Sequence, residues 1–354
     1  MLFISLLMLL LSDTTAVATQ STPSADSYFS LQPDLPANAE VDALAEALRQ
    51  APTNANRLKL ASLYIKGSKM PGFGDWFHYA ESLLEQYKAA ATDIDYVLLL
   101  SDIKQQQHHF TEALSLLDKI FQQQPQHLQA SLMAARIYLA IAETDLAQKA
   151  CNRLMAVDIF LFSVCSYEVV GRKGQWQTAY NALNTLYSRH STLDDALTIW
   201  VRGILAEQAE QLRQDNVALT WLTPILEQAP TSLWLKWADL SLRTGNAALL
   251  YEKMTSFAFV ETLEDGLMLR LAIAEQNLQL PAHFQTIIHE RMALRLIRQD
   301  QDHAADLVHY FLTLAPDPKL AWHWANVNYE SAKEPDDKKL LELSQQALLA
   351  MTKE

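Results

Sequence analysis

The sequence predicts an all-α fold, an α-solenoid of stacked antiparallel helix pairs. Three observations carry that prediction. An aromatic recurs three residues before a small one, in Phe77-His78-Tyr79-Ala80, Phe110-Thr111-Glu112-Ala113 and Trp176-Gln177-Thr178-Ala179. Ala80, Ala113, Ala147 and Ala179 are 33, 34 and 32 residues apart, a period typical of repeat arrays. The last three of these alanines lead apolar stripes at helical spacing: Leu117/Ile120, Cys151/Leu154 and Leu183/Leu186. The chain has only 8 Gly in 354 residues, against a usual share of about 7%. That scarcity disfavours sandwiches, barrels and Gly-rich phosphate loops.

The elements follow in chain order. Met1–Leu11 is almost wholly apolar, Ser12–Thr15 is polar, and Ala16-Val17-Ala18 fits a small-x-small cleavage site, so residues 1–18 read as a signal peptide. Eleven apolar residues fall short of the roughly 20 that span a bilayer. No Cys lies near the cleavage point to carry a lipid anchor. The expected location is therefore the periplasm or the exterior of a bacterial cell, with no stable membrane insertion after cleavage. Residues 19–40, rich in Ser, Thr and Pro, read as a linker. A helical repeat domain should fill 41–354. Its regular part, about 54–254, pairs 54–66 with 73–89, 93–106 with 110–123, 127–141 with 144–156, 160–171 with 175–188, 193–213 with 215–228, and 231–243 with 246–254. Pro125 and Pro230 lie twelve residues past Ala113 and Ala218, where a helix-ending proline belongs. Gly67–Gly74 reads as a loop inserted into the first unit. Irregular helices are expected over 263–278, 282–299, 302–314, 319–332 and 336–352.

Ala135, Tyr138 and Ala147 in one unit, Gly174, Trp176 and Ala179 in another, and Trp234, Trp237, Ala238 and Gly245 in a later one resemble the tetratricopeptide repeat. The likeness covers about 54–250 clearly and 260–352 loosely. It implies a right-handed superhelix that binds proteins and performs no catalysis. In that family one face of each helix A lines a concave groove. Projected onto this chain, the face selects Asp95, Asp102, Gln105, Arg136, Glu168, Trp200, Glu207, Glu210, Asp239 and Arg243. Six carboxylates against two guanidinium groups make an acidic stripe, so the expected ligand is a peptide of basic character with Trp200 as an anchor. The basic clamp of tetratricopeptide co-chaperones is absent from these positions.

Net charge is −13 without any Lys/Arg run, which argues against nucleic acid as partner. Among ten histidines, His108-His109 falls in a turn, and His283 and His289 are poorly spaced for one helix face. His289-Glu290 lacks the second His of a zinc-protease motif. Gly171-Arg172-Lys173-Gly174 follows no strand, so it reads as a turn between helices and not as a phosphate loop. No catalytic, cofactor or metal residues are expected. Cys151 and Cys165 lie on neighbouring helices, each seven residues from a turn near Asp158, and should meet as a disulfide in an oxidising compartment. The function expected is an exported protein-interaction scaffold or adaptor of the bacterial cell envelope, gripping a polypeptide in its groove. The alternative is an envelope-assembly or peptidoglycan- or carbohydrate-linked subunit.

Overall fold

The computed structural model describes residues 38–87, 93–190 and 192–351. The expected signal peptide, and the linker as far as residue 37, lie outside them. The described residues form 18 α-helices and no strand. A helix that the repeat spacing had not marked, α1 (Asn38–Gln50), comes first. Five antiparallel pairs follow: α2 (Asn54–Ser68) with α3 (Trp76–Glu85), α4 (Ile94–Gln106) with α5 (Phe110–Gln123), α6 (Leu128–Ala140) with α7 (Thr144–Asn152), α8 (Ile159–Arg172) with α9 (Trp176–Ser188), and α10 (Asp195–Gln211) with α11 (Asp215–Leu222).

Each of these pairs is punctuated by its sequence. The leading helices start at a side-chain cap: Thr53, Asp93, His127, Asp158 and Asp194 each accept a backbone N–H of the first turn, satisfying one of the donors a helix start leaves free. The trailing helices of the last four pairs have no side-chain cap; a left-handed residue turns the chain into them. His108, Ala142, Gly174 and Arg213 all have positive φ. The next residue's N–H then bonds a carbonyl five back, as in His109 to Lys104, Glu143 to Tyr138, Gln175 to Val170 and Gln214 to Ala209. This is the Schellman closure, made here with Gly at only one of the four turns.

Small residues let the two helices of a pair approach. Ala80, Ala113, Ala147, Ala179 and Ala218 are wholly buried. At Gly171 the Trp176 ring lies so close that a Cβ would sit 2.9 Å from a ring carbon. Three helices end at least four residues earlier than expected, α3 at Glu85 among them. α7 stops at Asn152, where the chain turns toward α8 and Cys151 is bonded to Cys165, with Cα atoms 5.7 Å apart. α11 gives way to a 3-10 turn, Thr223–Gln228, at Pro224, which cannot donate to the helix ladder.

The second half packs less regularly. It comprises α12 (Thr231–Arg243), α13 (Ala247–Thr255), α14 (Asp265–Asn277), α15 (Phe284–Arg298), α16 (Ala304–Leu312), α17 (Pro318–Ser331) and α18 (Pro335–Met351). α14 lies among α12, α13, α15 and α16 and is buried from Gly266 to Glu275 on every face. The two charges of that stretch, Arg270 and Glu275, are both matched. Glu275 accepts the N–H groups of His283, Phe284 and Gln285 at the start of α15, where a helix favours an anion.

The Gly67–Gly74 segment is no free insertion. Met70 and Phe73 enter the core of the second half. The Lys69 carbonyl accepts the Thr231 N–H at 2.8 Å. The Glu264 carboxylate takes the N–H groups of Gly72 (2.8 Å) and Gly74 (3.2 Å). Gly72 has φ +83°, and a Cβ on it would fall 2.1 Å from the Phe259 ring. The first unit is thereby clasped to the region that follows α13, and the inner faces of the leading helices are held around a common groove.

Candidate binding groove

The structure gathers the groove residues named from the sequence into three groups. Arg136, Glu168, Trp200 and Glu207 line one cavity of about 300 Å³. Glu210, Asp239 and Arg243 line a second of similar size. Asp95, Asp102 and Gln105 lie on α4, nearer the N-terminus; Asp95 is exposed, and Asp102 pairs with Lys69 at 2.7 Å.

Most of the carboxylates are already matched inside the chain. Glu207 lies 2.9 Å from Arg172. Glu210 meets Lys236 and Arg243 at 2.7 Å each, and Lys339 at 3.3 Å. Asp239 is held by Arg270, Nε to Oδ1 at 2.9 Å and Nη2 to Oδ2 at 3.2 Å. Four of the six acids thus face cations, and the stripe does not present the run of free charge on which the basic-ligand expectation rested. Arg172 and Lys236 were the residues missed. Both had a sequence signal: Arg172 is one turn beyond Glu168, and Lys236 shares a helix face with Asp239 and Arg243.

The second omission had no signal in the periodicity. The segment leading into α18 crosses the groove. Lys333 donates its N–H to the Ala140 carbonyl at 2.7 Å. Glu334 lies 3.4 Å from Arg172, and Asp336 lies 2.8 Å from Lys236. On one side of this crossing is the Trp200 cavity. On the other is a cavity of about 1000 Å³ whose lining includes Trp176, Arg213, Arg243, Tyr329 and Lys338.

Burial sets the protonation of the groove. Desolvation pushes the Glu168 carboxyl up to about 7, against the pull of Arg136 and Arg172. Among the described residues no hydrogen bond or close ion pair reaches it. Burial likewise raises Glu207, outweighing Arg172. Desolvation alone would lower the cations, but Glu207 and Glu334 keep Arg172 up, and Asp336 and Glu210 keep Lys236 up. Both stay charged at any physiological pH. The Arg172 Nε makes no hydrogen bond despite its nearness to Glu207, which leaves donor capacity on a buried guanidinium. The arrangement sets fixed, partly desolvated charges beside the apolar walls of Trp200, Ile199, Ile204 and Leu233, the make-up common to ligand cavities.

The histidines singled out earlier are dispersed. His108 and His109 are exposed in their turn, His283 faces Glu261, and His289 bonds the Tyr310 hydroxyl.

Residues 105–158 match the tetratricopeptide repeat family model. No curated protein matches the sequence. In structure, the chain is similar to a protein of the APC/C hetero-tetramer Cut9–Hcn1. The TM-score is 0.52 at 13% identity, over 92% of this chain and 70% of that one. At that identity the likeness speaks for the fold. A tetratricopeptide repeat protein from Parabacteroides merdae is similar at a TM-score of 0.46 and 14% identity, over 67% of this chain and 91% of that one.

Proposed function

We propose that the chain is a tetratricopeptide-type repeat solenoid and a protein–protein interaction scaffold whose concave groove grips an extended polypeptide. Support comes from one observation above the others. The stacked leading helices leave apolar cavity space beside Trp200, edged by Arg136, an exposed cation without an ion pair among the described residues. Such a surface suits side-chain anchoring with charge-guided register. The working setting in this reading is the bacterial cell envelope, entered by export. The apolar segment before Ala16-Val17-Ala18 and a Cys151–Cys165 disulfide both suit an oxidising compartment.

Site-specific photo-cross-linking tests the groove. A cross-linker placed at Arg136 or Gln105 should trap a polypeptide in living cells, and one on an exposed turn such as His108 should not. Adducts that form equally at both places, or at neither, would remove the groove reading. N-terminal sequencing of the mature protein should begin near Thr19; an intact Met1 would remove the export setting and leave the scaffold reading in place.

A further inference from the structure

The charge character of the ligand can be read from what already occupies the groove. Around the Trp200 cavity, Arg136, Arg172 and Lys236 face Glu168 and Glu207. Glu207 pairs with Arg172 and Glu210 with Lys236, and the crossing segment adds a second carboxylate to each, Glu334 on Arg172 and Asp336 on Lys236. These two carboxylates are half exposed, whereas the cations beneath them are largely buried. Exposed carboxylates in such pairs hold weakly. A partner that supplies its own carboxylates finds the cations fixed and desolvated in advance.

The crossing is also separable from the helix it leads into. α18 is anchored further along, where it packs on α17 and α16 and buries Leu340 and Ser344. Its first turn is closed locally, with the Glu334 N–H donating to Asp337 and Asn328 Nδ2 donating to Asp337. What ties Lys333–Asp336 to the groove is polar: one backbone hydrogen bond and two ion pairs. Of the three crossing residues that line the cavity, Glu334, Pro335 and Asp336, only Pro335 is apolar.

We propose that the groove accepts an acidic polypeptide segment, with carboxylates two residues apart flanking or adjoining a bulky apolar side chain, and that Lys333–Asp336 is the resident competitor such a segment displaces. The carboxylates take over Arg172 and Lys236 from Glu334 and Asp336. The apolar side chain enters between Trp200, Ile199 and Leu233, where the resident segment offers only the small ring of Pro335. Arg136 supplies a third cation for a longer acidic run. A basic segment offers Arg172 and Lys236 nothing in place of Glu334 and Asp336. This inference rests on the groove reading above and adds the chemistry of its ligand.

The test uses the full chain and a labelled synthetic probe, Lys-Glu-Phe-Asp-Asp, followed by fluorescence anisotropy. Its controls are Lys-Gln-Phe-Asn-Asn and Lys-Lys-Phe-Lys-Lys. Glu334→Gln with Asp336→Asn keeps shape and removes the competing charge. That variant should bind the acidic probe about tenfold more tightly than the wild type, the product of two modest ion pairs. Adding Lys236→Gln should abolish the gain, and both control peptides should bind at least about tenfold more weakly. In the wild type, saturating acidic probe should strip hydrogen-exchange protection from the Lys333 N–H, a readout that needs no variant to fold. Equal affinity for the three peptides, no gain in the disarmed variant, or an unchanged Lys333 N–H under saturating probe would each overturn the proposal. If groove cross-links to a native polypeptide persist while the acidic probe fails, the ligand chemistry is wrong and the scaffold reading survives. If cross-links from the groove are also missing, both fall.

Discussion

Replacing Arg270 by methionine removes the cation at the centre of the most buried helix. Arg270 is 4% exposed. It holds Asp239 through two hydrogen bonds, and it reaches Asp306 at 3.2 Å, the Gly266 carbonyl at 3.2 Å and His309 Nε2 at 2.7 Å. Burial opposes ionisation of Asp239, but Arg270 outweighs it and holds that carboxyl down at about 2. Asp306, with a single bond to the same guanidinium, is pushed up by burial. His309 must accept from Arg270, and burial together with that charge lowers it to about 4, so it is neutral at pH 7.

The Asp239 displacement from 3.8 to about 2 corresponds to roughly 2 kcal/mol. Leaving one partner of a buried pair without the other costs about 3–5 kcal/mol. Asp239 keeps 30% of its side-chain exposure, which places the expected loss near the lower bound, about 3 kcal/mol. The sign with pH is fixed. In the wild type, the contribution of Asp239 is present above its unfolded value near 3.8 and is lost as pH falls through about 2. In Arg270→Met both carboxyls titrate above their unfolded values, so their cost is full at pH 7 and disappears on acidification. The gap between the two proteins should therefore narrow from pH 7 to pH 4.

Repeat arrays need not unfold in one step, so hydrogen exchange of the α14 amides is the better assay, with urea denaturation beside it. Adding Asp239→Leu and Asp306→Leu to Arg270→Met should restore most of the loss, because a wholly apolar replacement leaves no charge stranded. A loss below about 1 kcal/mol at pH 7, or one that does not shrink with acid, would refute the reasoning.

Three further outcomes are expected. Cys151→Ser with Cys165→Ser opens a loop with a separation of 14 residues and should cost about 3 kcal/mol by chain entropy, read as a lower melting temperature; an unchanged temperature would mean that neighbouring packing alone holds α7 against α8. Glu264→Ala leaves the Gly72 and Gly74 N–H groups without their acceptor and should cost about 2–3 kcal/mol, with exchange rising first at those two amides; protection retained there would show that the loop is held by Met70 and Phe73 without the carboxylate. Glu168→Gln removes a carboxyl that burial holds at about 7 against an ordinary 4.5. The wild type should lose stability as pH rises from about 4.5 to 7 and stay level above, whereas the variant stays flat and is more stable at pH 8 by roughly 3 kcal/mol; parallel curves would place the ionised carboxylate in water.

The repeat was legible because its signals are local. The alanine period, the helix stripes and the pairing of Cys151 with Cys165 all depend on residues within one unit or the next. Steric fit between adjacent helices demands small residues at fixed intervals whatever the rest of the chain does. The helix Asn38–Gln50 escaped notice because it precedes the first repeat and shares no motif with it. The breaks after the leading helices were placed, but the left-handed geometry of three of the four carried no sign, because His108, Ala142 and Arg213 stand where glycine is usual.

Tertiary structure alone decided how the groove is closed and charged. The contacts of Gly72 with Glu264, Lys69 with Thr231, Lys333 with Ala140 and Glu334 with Arg172 join residues some 160–195 positions apart. Each depends on the small rotation between successive units, summed over the array, and hydrophobic periodicity carries no record of that sum. The same sum brings Arg172, Lys236 and Arg270 against carboxylates that a single-helix projection leaves bare. Composition counted the acids along the groove, and only the curvature of the solenoid determined which cations would face them.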